Sequence, residues 1–138
     1  MNLKQAIILS IASLSILLSF LSCNTKTHIK DVTTEQFEQV IKNSNIQIVD
    51  VRTPKEFAQG HLHDAVLIDV KSDKFKDLAL SKLHKDLPVA VYCRSGKRSA
   101  LAAKILSDLG FKKVYNMEGG FTKWAKEDRA RSITNVAE

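Results

Sequence analysis

Short, nearly unbroken apolar runs alternate along this chain with stretches whose apolar residues recur at helical spacing. IQIVDV (Ile46–Val51), AVLIDV (Ala65–Val70) and PVAVYC (Pro88–Cys93) read as strands covered on both faces. Pro88 stands at the start of its run, where a missing N–H costs no ladder bond. KVYNM (Lys113–Met117) reads as the last strand, and a segment near His28–Val32 opens the structured part. Thr33-Thr34-Glu35-Gln36 has capping-box spacing and predicts a helix with Phe37, Val40 and Ile41 on one face. Thr53-Pro54-Lys55-Glu56 is a second capping box, with proline at the first helical position. Lys71–Leu83 is a looser helical stretch. From Arg98 the period predicts a helix that turns Leu101, Ala102, Ile105, Leu106 and Leu109 inward and ends at Gly110. Gly119-Gly120 reads as a turn before a final helix, Phe121–Asp128, in which Trp124 belongs to the core. Pattern is lost from Arg129, which predicts a frayed tail over 129–138.

Apolar strands alternating with helices predict an α/β fold with a mostly parallel sheet between two helical layers. Ligands of such sheets bind beyond the carboxyl ends of strands. Cys93 closes its strand at that end.

The first residues follow a different rule. Lys4 precedes AIILSIASLSILLSFL (Ala6–Leu21), which carries no charge, is short for a membrane span and suits the apolar region of an export signal. The run ends in FLSC (Phe20–Cys23) and resembles a bacterial lipoprotein signal, in which the cysteine becomes the acylated first residue. Phe20 stands where leucine is more usual, and the same residue spoils the small-residue pattern of ordinary signal cleavage. An uncleaved amphiphilic anchor is the alternative. The expected organisation is a leader over 1–22, a tether over 23–30 anchored through Cys23, and a single domain over 31–128. So short a tether holds that domain close to a bacterial membrane, on its periplasmic or cell-envelope face.

A chain of 138 residues suffices for one core without staples. Its formal charge of +6 falls to +5 without the leader, and its Lys and Arg are scattered rather than gathered on one face. That argues against nucleic acid and for a solvated surface with some affinity for anions. Acylation of Cys23 leaves Cys93 as the only thiol. Exported proteins use paired cysteines for disulfides. A lone one is either packed in the core or kept for chemistry.

The neighbours of Cys93 favour chemistry. Cys93-Arg94-Ser95-Gly96-Lys97-Arg98 joins strand to helix with a glycine that allows a left-handed turn and three cations. A connection this tight turns backbone N–H groups inward, and the following helix aims its positive end at the same point. Amides and cations together predict a stabilised thiolate, exposed in a ring too narrow for larger oxyacids. The same donors would receive a small anion brought to the sulfur. His61 and His63 alternate but lack an evident third partner, so they read as turn residues and no metal or other cofactor is expected.

Cys93-Arg94-Ser95-Gly96-Lys97-Arg98-Ser99 resembles the active loop of single-domain rhodaneses, the thiosulfate sulfurtransferases. Asp50-Val51-Arg52 with Glu56-Phe57 resembles that family's DVR…EF segment, and Gly60-His61-Leu62 with Ala65 its GHI…GA turn. Glu118-Gly119-Gly120 with Trp124 resembles its closing GG…W helix. Asp64 stands where the family commonly has glycine. The resemblance covers roughly Asp31–Asp128. It implies the rhodanese-like three-layer fold, with about five short strands. It implies double displacement, in which Cys93 takes sulfur from a small sulfur-containing anion such as thiosulfate, becomes a persulfide, and passes the sulfur to cyanide, a thiol or a small thiol protein. In that scheme Arg94, Ser95, Gly96, Lys97, Arg98 and Ser99 hold the donor. Asp50, Arg52, Glu56 and His61 support the site, with Arg52 meeting Glu56 or another acid. A monomer is expected.

Rival readings weigh less. A phosphate-binding nucleotide loop needs glycine where Val91 stands and Ser or Thr where Arg98 stands. Thiol phosphatases place arginine six positions after the cysteine, where this chain has Ser99, one residue beyond Arg98. A persulfide carrier, or a non-catalytic docking module of the same fold, remains the alternative to a free-standing enzyme.

Overall fold

A computed structural model describes residues 2–4, 28–127, 129 and 133–134. Cys23 and most of the expected leader and tether lie outside the described residues. Strand β1 (His28–Val32) leads into helix α1 (Thr34–Ile41), followed by β2 (Gln47–Asp50), α2 (Pro54–Ala58), β3 (His61–Leu62) and β4 (Val66–Leu67). Helix α3 (Phe75–Lys82), β5 (Val89–Tyr92), α4 (Lys97–Asp108), β6 (Lys113–Met117), α5 (Gly120–Lys126) and β7 (Ile133–Thr134) complete the order. Among the described residues no helix is long and apolar enough to cross a membrane.

The main sheet has strand order β1-β6-β5-β2-β4, and every pairing in it is parallel. Period-two alternation divides the core between its faces. Val89, Val91 and Cys93 turn to one side with Phe75, Ala79, Ala102, Ala103 and Leu106 of α3 and α4. Ala90 and Tyr92 turn to the other, against Phe37 of α1 and Trp124 of α5. Cys93 thus continues the alternation of β5 and points beneath the start of α4.

Both capping boxes form, with Thr33 paired to Gln36 and Thr53 to Glu56. Three expectations need correction. Leu101 is 54% exposed, because α4 lays the small residues Ser99, Ala102 and Ala103 with Leu106 on the sheet. The predicted strand 65–70 is reduced to Val66–Leu67. The backbone beyond it still leans on β2, since Ile68 and Val70 donate to the carbonyls of Asp50 and Val51. Past α5, β7 pairs antiparallel with β3, although composition there shows no pattern. Arg129 accepts the Trp124 indole N–H on its carbonyl and pairs its guanidinium with Glu38 and Glu127.

Candidate active site

The loop between β5 and α4 is four residues long and closes over the sulfur. Gly96 takes φ +101°, a conformation that L side chains rarely adopt, and caps α4. Its amide donates to Cys93 Sγ at 3.1 Å. The Ser99 hydroxyl lies 3.4 Å from Sγ and 3.1 Å from the Gly96 carbonyl. It has one proton, which serves the carbonyl beside a thiol and the sulfur beside a thiolate.

Burial pushes the Cys93 thiol up, but the Ser99 hydroxyl and the amides of Ser99, Gly96 and Ser95 outweigh it and hold the thiol below its ordinary value. Fixed dipoles are therefore the chief support of the thiolate, and of the three cations that the sequence brings near it Arg98 adds a smaller charge attraction. Arg98 is turned aside: Nη1 and Nη2 donate to Glu56 Oε2 and Oε1 at 2.8 and 2.7 Å. Arg94 and Lys97 are exposed. The expected exposed sulfhydryl is also corrected, for Cys93 is fully buried under the loop.

Glu56 joins two elements. Its Oε2 also accepts from Thr53 N at 3.0 Å and Thr53 Oγ1 at 2.9 Å, so one carboxylate caps α2 and ties down the first turn of α4. The Arg98 guanidinium above all, with the Thr53 donors, holds that carboxyl well below the usual carboxylate range.

Beneath the site, Arg52 meets Asp50 rather than Glu56. Its Nη2 lies 2.6 Å from Asp50 Oδ2 and its Nε 2.9 Å from Oδ1, while the Arg52 amide donates to Oδ1 at 3.0 Å. Nη2 also donates to the Gly60 carbonyl at 2.7 Å, and the guanidinium lies 4.2 Å from the centre of the Phe121 ring. The Tyr92 hydroxyl accepts from Leu62 N at 3.1 Å. Burial first, then the Asp50 charge, pushes the Tyr92 phenol well above its usual value, so it stays neutral. This buried polar cluster joins β2, the turn at Gly60, β3 and the end of β5 into one rigid floor.

His61 stacks on Phe57 and places Nδ1 2.9 Å from the Phe57 carbonyl. Among the described residues no three potential metal ligands gather. Asp64 adopts φ 61°, a left-handed turn that aspartate tolerates better than most side chains.

Gly120 is the contact that sequence reasoning missed. Helix α5 brings its first turn against the loop from below, with Phe121 N donating to the Cys93 carbonyl at 2.8 Å and Thr122 N to the Arg94 carbonyl at 3.1 Å. A Cβ on Gly120 would lie 2.5 Å from the Arg94 carbonyl oxygen and 2.6 Å from that of Cys93. The adjacent glycines were the available signal, legible only as a turn. A cavity of about 260 Å³ opens beside this junction, lined by Arg52, Glu56, Gln59, Arg94, Phe121 and Thr122.

The family model for the rhodanese-like domain matches residues 33–127. A protein of Allochromatium vinosum named as a sulfurtransferase is 33% identical over 99 residues, covering 71% of this chain and 90% of that protein. A tRNA uridine(34) hydroxylase of Photorhabdus laumondii is 32% identical over 104 residues, 72% of this chain but 29% of the hydroxylase. Among solved structures, a rhodanese-like domain protein from Staphylococcus aureus matches with a TM-score of 0.61 and 33% identity, over 69% of this chain and 90% of that one.

Proposed function

The chain belongs to the rhodanese-like domain family, and on that premise we propose that it is a sulfurtransferase working through a persulfide on Cys93. The observation that carries the proposal is the placement of Cys93 Sγ at the carboxyl end of β5, 3.1 Å from Gly96 N and 3.4 Å from Ser99 Oγ, contacts that favour its thiolate. The thiolate attacks the outer sulfur of a donor such as thiosulfate, the S–S bond breaks, and sulfite leaves with the electron pair. The amides that hold the thiolate then hold the persulfide formed from it. An acceptor nucleophile takes the outer sulfur and restores the Cys93 thiolate. Arg94 and Lys97, exposed at the rim, attract the anionic donor, whereas Arg98 acts through Glu56 as a positioning residue.

Because Cys93 is fully buried, the Arg94–Ser95 rim has to yield before a donor sulfur arrives. A ring drawn this close around one sulfur favours transfer of a single atom over binding of a tetrahedral phosphoryl group. Export and acylation at Cys23 belong to the same proposal and rest on the leader pattern; palmitate labelling lost in Cys23→Ala but kept in Cys93→Ala is the expected result.

Incubation of the protein with thiosulfate without oxygen, followed by mass spectrometry, is expected to add one sulfur atom to the peptide containing Cys93. An unchanged mass with thiosulfate and with polysulfide overturns the proposal. Loading followed by no turnover with cyanide or thiols marks a carrier instead of a free-standing enzyme.

A further inference from the structure

A second cavity, of about 310 Å³, lies on the other flank of the loop, where β1 and β6 end beneath the first turn of α4. Asp31 and Asn116 are cross-strand partners there. Asn116 Nδ2 donates to Asp31 Oδ1 at 2.8 Å. Asn116 is only 4% exposed, and its Oδ1 has no donor among the described residues. A buried acceptor left unpaired loses its hydration without compensation, so a ligand that brings an N–H donor is favoured. Two exposed carboxylates, Asp31 and Glu118, and one exposed cation, Lys97, complete the charged lining.

The sign of charge therefore reverses across the loop. The first cavity holds Arg52 and Arg94 with the single acid Glu56, itself paired to Arg98. The second holds two acids and one cation. Gly96 touches both the sulfur and the second cavity: its amide reaches Sγ and it lines the cavity, where a Cβ would lie 3.3 Å from Gly119 N and 3.5 Å from the Met117 carbonyl. A ligand in the acidic cavity lies against the residue that grips the nucleophile, and the carboxylates repel a second copy of the anionic donor.

We propose that this cavity receives the sulfur acceptor, and that the acceptor is a small thiol of the α-amino acid type. Its ammonium faces Asp31, Glu118 and Asn116 Oδ1, its carboxylate faces Lys97, and its sulfur is directed at the loop. The acceptor thiolate attacks the outer sulfur of the Cys93 persulfide, the S–S bond to Cys93 breaks, and Cys93 leaves as the thiolate. The acceptor departs as a persulfide, so one sulfur atom moves and no outside oxidant or reductant is needed. This inference rests on the persulfide reading above.

The test isolates the second half-reaction. Full-length protein is preloaded with thiosulfate, mixed with one acceptor, and quenched for mass spectrometry of the Cys93 peptide. Cysteine, cysteamine and 3-mercaptopropionate are compared in the parent and in Asp31→Asn/Glu118→Gln. Each acceptor is scored as the ratio of parent to variant rate, which cancels differences in intrinsic thiol reactivity. Exposed charge pairs contribute about 0.2–1 kcal/mol each, so losing two carboxylates should slow transfer to cysteine and cysteamine roughly two- to thirtyfold. Transfer to 3-mercaptopropionate should be unchanged or faster, and loading by thiosulfate not slowed. Equal slowing of all three acceptors, or of none, with loading intact overturns the acceptor assignment and leaves the persulfide reading standing. Failure of the parent to load sinks both.

Discussion

Replacing Gly120 by alanine should displace the Cys93 loop without touching a side chain in it. Two costs add. Gly120 sits at φ +59°, where an L residue costs about 1–2 kcal/mol. The new Cβ also meets backbone at 2.5–2.6 Å, and an ordinary contact begins at 3.4 Å, so the Cys93–Arg94 carbonyls must retreat by nearly an ångström. That retreat weakens the Phe121 N and Thr122 N hydrogen bonds to those carbonyls. With one or both lost, at about 1–3 kcal/mol each, the expected destabilisation is roughly 2–8 kcal/mol. Gly119→Ala is the internal control. It shares the left-handed strain at φ +76°, but the closest block to its Cβ is Lys123 Cδ at 2.7 Å, which can swing away, leaving Lys123 Cβ at 3.0 Å to give by a few tenths of an ångström. About 1–2 kcal/mol is expected there.

Urea unfolding gives both stabilities, in a Cys23→Ser background that leaves Cys93 as the one thiol among the chain's two cysteines. In the same background, the pH dependence of iodoacetamide alkylation reports the thiolate. Gly120→Ala should unfold at clearly lower urea than Gly119→Ala and titrate its thiol at higher pH, because Sγ moves relative to its amides. If the two variants coincide in stability and in alkylation profile, the support of the loop by α5 is not as described.

Two further outcomes follow from the same contacts. Ser99→Ala removes the largest favourable contribution to the Cys93 thiolate, so the alkylation midpoint should move up in pH; an unmoved midpoint would show that the hydroxyl serves only the Gly96 carbonyl. Glu56→Gln should cost about 1–3 kcal/mol near neutrality, the worth of a charge-assisted pair that is only partly exposed. Glu56 is held below its unfolded value, so its contribution is complete above that value and fades as pH falls. The gap between parent and variant in urea should therefore narrow below about pH 4, and a gap constant down to pH 2 would contradict the pairing.

The frame was legible because each strand is a short apolar run between capped helices. Both threonine capping boxes and the placement of Cys93 after β5 needed only local spacing. What escaped was set by contacts distant in sequence. Arg98 lies 42 residues from Glu56, and no local pattern says that its charge is engaged there and not on the donor. Leu101 looked like core because leucine fits the period, yet close packing of α4 on the sheet requires the small residues beside it. The strand Ile133–Thr134 carries no alternation and exists by pairing with His61–Leu62. Gly120 reads as one half of a turn until α5 is seen pressing on the carbonyls of Cys93 and Arg94.

That the Cys93 thiolate is favoured chiefly by amides and one hydroxyl, with Arg94 and Lys97 standing apart, separates two responses to ionic strength. Main-chain dipoles at contact distance are not shielded by dissolved salt, whereas the charges of Arg94 and Lys97, out in solvent, fade within a Debye length of about 8 Å at physiological salt. Concentrated electrolyte should therefore slow the arrival of an anion while leaving the readiness of the sulfur almost untouched. That arrangement keeps the nucleophile constant and lets only the encounter rate follow the ionic strength of the medium.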